Sequence, residues 1–328
     1  MRQNLISQGR TGKFMKYAVG EIILITLGVM IAVQINNWNQ KRVIENEAIV
    51  TLNNLADNLQ EEVFYNGLEN AAERVLLTDS LLNNQLTVSD FRRDQRLSDL
   101  LSNYFRSEVM EENIETILIQ ESIVPKKYRS LITWIKNHKL YMDNYTRIRN
   151  GISEQVRRNE IIMEDNFPWY SLDDSLSNEH KYQFYLKNPY FRNRLMNLQK
   201  VNKRLISIYS ISISQKADIA GEIKLLNENF GLDELIIFFN EMRLTRAEMI
   251  DCSAGDEGVY PFLLSHLFYN NTMDTLTYTP KQSSGGSVKI LPKQLGFITR
   301  TDEEYIQFFS DNGCINFKVE LNDYIIIE

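Results

Sequence analysis

The stretch over residues 17–35, YAVGEIILITLGVMIAVQI, constrains this chain more than any other. At about 1.5 Å per residue its 19 residues reach about 30 Å as a helix, the thickness of a bilayer's hydrocarbon core. From Ile22 to Val33 it carries no charge, and its one polar side chain, Thr26, can bond back to a carbonyl one turn earlier. A buried helix of a soluble core accounts for twelve apolar residues, but not for the basic approach or the Asn36-Asn37-Trp38-Asn39 exit. The segment therefore reads as a single transmembrane helix.

Charge sets its direction. Before Glu21 stand Arg2, Arg10, Lys13 and Lys16 with no acid, whereas Lys41 and Arg42 are soon followed by Glu45, Glu47 and Asp57. The positive-inside rule keeps the short tail cytoplasmic, with Lys13, Lys16 and Tyr17 at the near interface and Trp38 at the far one. Residues 32–36, AVQIN, offer no small-x-small cleavage site, so the reading is an uncleaved signal anchor in the inner membrane with everything after it periplasmic. The tail's four cations face an anionic leaflet, where each adds about 1 kcal/mol of attraction.

Inside the span, Glu21, Gly28, Ala32 and Asn39 share one helical face. A Gly-x-x-x-Ala step lets another backbone approach, and two polar groups can bond across helices. Two readings stand: a membrane-helix contact, either a homo-oligomer or a multi-span partner, or a Glu21 that lies shallow among headgroups beside an incidental Gly28.

The run from Gln8 to Asn39 also carries a resemblance. Thr11-Gly12-Lys13, Lys16-Tyr17-Ala18, Gly20-Glu21-Ile22-Ile23-Leu24 and Gln34-Ile35-Asn36-Asn37-Trp38-Asn39 resemble the opening of a family of uncharacterised single-span envelope proteins of Gram-negative bacteria, classed as a domain of unknown function. A looser likeness covers Tyr128-Arg129-Ser130-Leu131 and Ile135-Lys136-Asn137, and the tail beyond Ile250 departs from the family pattern. The resemblance implies a membrane anchor with an extracytoplasmic helical domain, and brings no catalytic residue with it.

Beyond the span the pattern turns helical. Pro125 is the first proline, and Gly67 is the one glycine between Val29 and Asn150. Ile49, Leu52, Leu55, Ala56, Leu59 and Val63 make one apolar stripe, so the membrane helix is expected to run straight on and end near Asn83-Asn84. Ser89 or Asp90 then caps a helix carrying Leu97, Leu100, Leu101, Tyr104 and Phe105. Pro125 opens a third, with a break at Asn137-His138 and helix again over 140–163, and residues 164–178 read as loop. After Pro189 the last long helix runs to Asn229 with Gly231 as its C-terminal cap. Such stripes need partners, so an antiparallel bundle follows. Heptad spacing holds only from Leu52 to Leu59, too short for a coiled coil.

Near Ile250 the composition shifts, with six of the fourteen glycines falling in 255–313. Short runs over 263–269, 276–279, 287–291, 296–301, 305–310, 315–321 and 324–327 read as strands of a small antiparallel sandwich or barrel. Asn271-Thr272 and Leu291-Pro292 there resemble a pattern of compact immunoglobulin-like modules. The fold class is thus mainly α. The divisions are a tail at 1–16, a span at 17–38, a bundle at 39–250 and an all-β domain at 251–328.

For chemistry the reading is negative. No nucleophile elbow, phosphate loop, dinucleotide fingerprint or zinc-protease motif occurs, and His138, His180 and His266 have no ligand spacing. No cofactor or metal is implied. Asp173-Asp174 and Asp256-Glu257 lack the alternating ladder of a calcium loop. A net charge of -7 argues against nucleic acid. Cys252 and Cys314 either pair, as a periplasm permits, or stay as two buried thiols. Phe167, Trp169 and Tyr170 beside Pro168 either plug one end of the bundle, the favoured reading, or form a partner patch. The expected role is a noncatalytic envelope protein displaying its bundle and β module for protein contact. A sensing or relay module and an enzyme with an unfamiliar site are the alternatives.

Overall fold

Thr26 Oγ1 donates to the Ile22 carbonyl at 2.7 Å, and with no proline to interrupt it the first helix runs unbroken for 55 residues, about 80 Å. The computed structural model describes residues 10–328 apart from 65–67, 99, 102–111, 120, 168, 170–174, 228–229, 253–258, 280–286, 304, 311–312 and 322. Its helices are α1 (Arg10–Phe64), α2 (Leu68–Leu82), α3 (Val88–Arg93), α4 (Glu112–Ile119), α5 (Arg129–Asn166), α6 (Ser175–Lys187), α7 (Pro189–Leu225) and α8 (Leu232–Glu241). The strands are β1 (Thr245–Arg246), β2 (Glu248–Ile250), β3 (Val259–Asn270), β4 (Leu276–Tyr278), β5 (Val288–Ile290), β6 (Leu295–Glu303), β7 (Tyr305–Ser310), β8 (Gly313–Lys318) and β9 (Asp323–Ile327).

Helix α7 is the axis of the molecule. Along one side it meets α1 antiparallel, through Asn227 to Asn53, Lys224 to Asp57 and Lys216 to Glu62. Lower down, α2 continues that line, with Asp79 against Gln199 and the Leu81 and Leu82 carbonyls against Arg192. On a second side α5 is also antiparallel, through Tyr128 to Asn227, His138 to Gln215 and Asn159 to Arg194. The expected antiparallel bundle is therefore built on a shared central helix. On a third side α7 packs against β3 and β6.

That enclosure explains the composition of α7. From Ile208 to Ser214 every residue is buried, as in a helix surrounded on all sides, and Ser alternates with bulky residues to let the neighbours close in. The hydroxyls do more than save space. At Ser265 the β3 to β6 register shifts, which marks a bulge. The Ser265 N–H donates to Ser210 Oγ at 2.6 Å, and the Ser265 carbonyl accepts from Ser210 Oγ and Ser214 Oγ at 3.1 Å each. Backbone groups that leave the ladder are thereby satisfied by the helix.

The strands form two sheets, one of order β1-β9-β3-β6 and one of order β2-β8-β7-β4-β5. The second is antiparallel as expected, whereas in the first β9 pairs parallel with both β1 and β3. The first sheet is mixed because β9 is covered on both faces. Tyr324 and Ile326 join the core shared with the helices, and Ile325 and Ile327 join the core between the sheets. Strand β1 lies before residue 251, and one hydrophobic core spans bundle and first sheet.

Several boundaries differ from the sequence expectation. Helix α5 runs through Asn137-His138 without a break. Leu97, Leu100 and Leu101 are buried, but Leu97 ends a 3-10 turn capped by Asp94 and Leu100 and Leu101 follow it in a turn, and Tyr104 and Phe105 lie outside the described residues. Thr87 rather than Ser89 is the N-cap of α3, with Asp90 returning a bond to its N–H at 2.7 Å. Helix α6 occupies part of the expected loop. Gly231 does not end α7, which stops at Leu225. It precedes α8, and its N–H donates to Glu234 Oε2 at 2.9 Å.

Candidate functional site

Four places carry the candidate chemistry. The first is the exposed run of α1, long and apolar enough to cross a membrane, with none of its most apolar window buried. Glu21, Gly28 and Ala32 sit on it exposed, and a Cβ on Gly28 would meet nothing within 4 Å. The structure brings the expected contact face together on one helix, and among the described residues no other part of the chain covers it. Tyr17 is 79% and Trp38 63% exposed at the two ends, and Arg42 lies over the Trp38 ring at 5.9 Å. Lys16 is exposed too, and the Lys13 side chain lies outside the described ones.

Beside Trp38, from Asn37 to Glu45, a groove of about 580 Å³ opens between α1 and the segment leading into α5. Asn37, Lys41, Glu45, Ser122, Lys126 and Arg129 line it, and Lys41 lies 3.8 Å from Glu45.

The third place is the distal end, where α5 finishes and α7 begins. Phe167 stacks edge-on against Phe184 at 4.6 Å, Trp169 meets His180 at 4.5 Å, and both pack onto the shared core. These rings plug the bundle, as favoured from sequence, while Pro168 and Tyr170 lie outside the described residues. So do Asp173-Asp174 and Asp256-Glu257.

The fourth is the polar interior around α7. Lys216 and Glu62, 9% and 7% exposed at their side chains, form an ion pair at 2.5 Å. His138 Nδ1 lies 3.2 Å from Gln215 Oε1, and burial lowers its pKa to about 4. His266 on β3 is fully buried and likewise lowered to about 4 by burial. His180, by contrast, is exposed. A cavity of about 240 Å³ lies where α5, α7 and β6 meet, lined by Trp134, Asn137, Gln215, Asp218, Ile219 and Phe297. Neither Asp218 carboxylate oxygen has a hydrogen-bond partner. Burial first, and Glu222 one turn on, push its pKa well above the usual carboxylate range. No local spacing announces this site, because its residues come from three distant segments.

Cys252 and Cys314 are bonded, with Cα atoms 6.3 Å apart and a sequence separation of 62. The bridge reinforces the pairing of β2 with β8, in which Ile250 faces Asn316. A loop of that length constrains the unfolded chain by about 4 kcal/mol in the entropy model. Among the described residues no three His, Cys, Asp or Glu side chains gather as a metal site would require.

Residues 21–159 match the model of a family described as a family of unknown function (DUF6090), which is less than half of the chain. The match begins at Glu21 and covers the exposed helix, α2 to α4 and most of α5. No curated protein and no solved structure matches the chain.

Proposed function

We propose that this protein is a noncatalytic, single-span component of the bacterial inner membrane, its basic tail cytoplasmic and its bundle and sandwich displayed in the periplasm for contact with other proteins. The observation that carries this reading is the exposure of α1. Ile22, Leu24 and Ile31 are 63%, 74% and 55% exposed, and a monomer in water has no use for an apolar cylinder of that size. Lipid removes the cost at about 25 cal/mol per Å². The disulfide supports an oxidising compartment for the displayed part. Glu21, Gly28 and Ala32 are the face by which a second copy or a multi-span partner would dock within the bilayer. A signal-relay role is the second reading, favoured by the unbroken helix from Arg10 to Phe64, which ties the span rigidly to the bundle core.

Carbonate washing of membranes followed by protease treatment of spheroplasts tests the placement. Retention in the pellet and digestion of everything beyond Trp38 are expected, and release into the wash or full protection refutes it. Cross-linking in native membranes tests the contact role. A discrete adduct that weakens in Glu21→Leu supports docking through the span, an adduct unchanged in that variant moves the contact to the displayed domains, and no adduct at all overturns the role.

A further inference from the structure

The cavity beside Asp218 holds an acid with no counter-charge. Lys216 is two residues away, which is about 200° around the helix, and it is engaged with Glu62 on the other side of α7. Glu222, the nearest charged neighbour on the same face, is itself an acid whose pKa burial has raised. Folding has thus enclosed a carboxyl group whose two oxygens accept nothing, at a cost normally offset by a partner.

The rest of the lining supplies what a cation of organic type needs. The Asn137 amide offers one carbonyl oxygen and Gln215 Oε1, one lone pair of which faces His138 Nδ1 at 3.2 Å, offers its other, so that with Asp218 three acceptors match the three N–H donors of a primary ammonium group. Trp134 and Phe297 present aromatic rings, which attract a cation and also accommodate its apolar body, and Ile219 completes the apolar wall. We propose that this cavity is a binding site for a small primary ammonium compound, held by Asp218, Asn137 and Gln215 and flanked by Trp134 and Phe297. On binding, the ammonium group stands opposite a carboxylate, and the proton that Asp218 carried leaves to solvent. The volume of about 240 Å³ restricts the ligand to a compact amine rather than a peptide or polyamine chain. The site is independent of the span and of any protein docked there.

The test uses the full chain in nanodiscs, titrated with benzylamine and, as an uncharged molecule of nearly the same shape, benzyl alcohol, followed by calorimetry and tryptophan fluorescence. Saturable benzylamine binding is expected, at least tenfold tighter than that of benzyl alcohol, a ratio of about 1.4 kcal/mol. Asp218→Asn should remove that preference, and Trp134→Phe should abolish the fluorescence change and weaken binding a few-fold while the circular dichroism spectrum is retained. If Asp218→Asn fails to fold, Asn137→Ala, at an exposed position on α5, carries the same test with an expected loss of a few-fold. Equal affinity for the two probes, no saturation with the wild-type chain, or variants that bind benzylamine as the wild type does would overturn the site.

Discussion

Replacing Lys216 with methionine removes one half of the buried ion pair that joins α1 to α7. Both side chains are less than 10% exposed, so Glu62 stays in the interior while its ion pair with Lys216 is lost. Breaking a buried pair from one side costs about 3 to 5 kcal/mol, whereas replacing both partners with apolar residues of similar volume is close to neutral. At about 2.1 cal/mol/K of unfolding entropy per residue, each kcal/mol shifts the midpoint of a chain this long by about 1.5 °C, so Lys216→Met should melt about 4 to 7 °C lower. Lys216→Met with Glu62→Leu should recover most of that loss. A second ion pair on the same two helices provides the control. Lys224 lies 2.7 Å from Asp57, but Asp57 is 61% exposed, and Asp57→Asn should cost under about 1 kcal/mol. Urea unfolding of the detergent-solubilised protein, followed by circular dichroism, gives all four values. If Lys216→Met costs no more than Asp57→Asn, or if the double variant is no more stable than Lys216→Met alone, burial does not govern this pair and the reasoning fails.

Two further outcomes follow from the interior. His138 has a folded pKa of about 4 against 6.5 in the open chain, so the unfolded state binds more protons between those values and the stability it contributes is lost as pH falls. At about pH 5 the loss is about 2 kcal/mol relative to neutral pH. Asp218, Glu222 and Asp323 have raised pKa values and act in the opposite sense, their contribution fading as pH rises. The readout is therefore the difference in unfolding free energy between wild type and His138→Leu, which should move by about 2 kcal/mol towards the variant from neutral pH to about pH 5, and a difference independent of pH would refute the assignment. Gly151→Ala, where a Cβ meets nothing, should stabilise α5 by about 1 kcal/mol. In Gly221→Ala the new Cβ would sit 2.8 Å from Leu295 Cδ2 and 3.3 Å from the Phe239 ring, so overpacking of about 1 to 3 kcal/mol should outweigh the same gain. Equal midpoint shifts in denaturation would remove that distinction.

What could be read from the chain was whatever local pattern decides. The continuation of the span into α1 is legible because nothing in 17–64 breaks it, but its end is not, since α1 stops at Phe64 and the stop expected near Asn83-Asn84 belongs to α2, which ends at Leu82. The strands are legible because turn clusters separate runs rich in β-branched and aromatic residues. Tyr305–Ser310 was placed to the residue. Gly231 is ambiguous by itself, because a glycine suits a helix end, whereas a glycine followed three residues later by glutamate, here Glu234, also marks a helix start. Helix α6 was missed because SLSNEHKYQFYLK has no apolar stripe. The parallel placement of β9 and the burial of His138 and His266 depend on partners far away in sequence, as does the Asp218 cavity, which draws on segments more than 160 residues apart. No window of spacing contains them.

The position of β9 has a bearing on how the protein is made. Its neighbours are β1 and β3, so the strand at Asp323–Ile327 lies inside the sheet that covers α7. A nascent chain can complete its helices early, but the face of α7 that needs this sheet stays wet until Ile327 has been made. Synthesis halted anywhere in the preceding hundred residues yields a product with an open sheet and an uncovered helix, the kind of surface that proteases and chaperones recognise. Translation to the end of β9 thus acts as the checkpoint for bundle and sheet together.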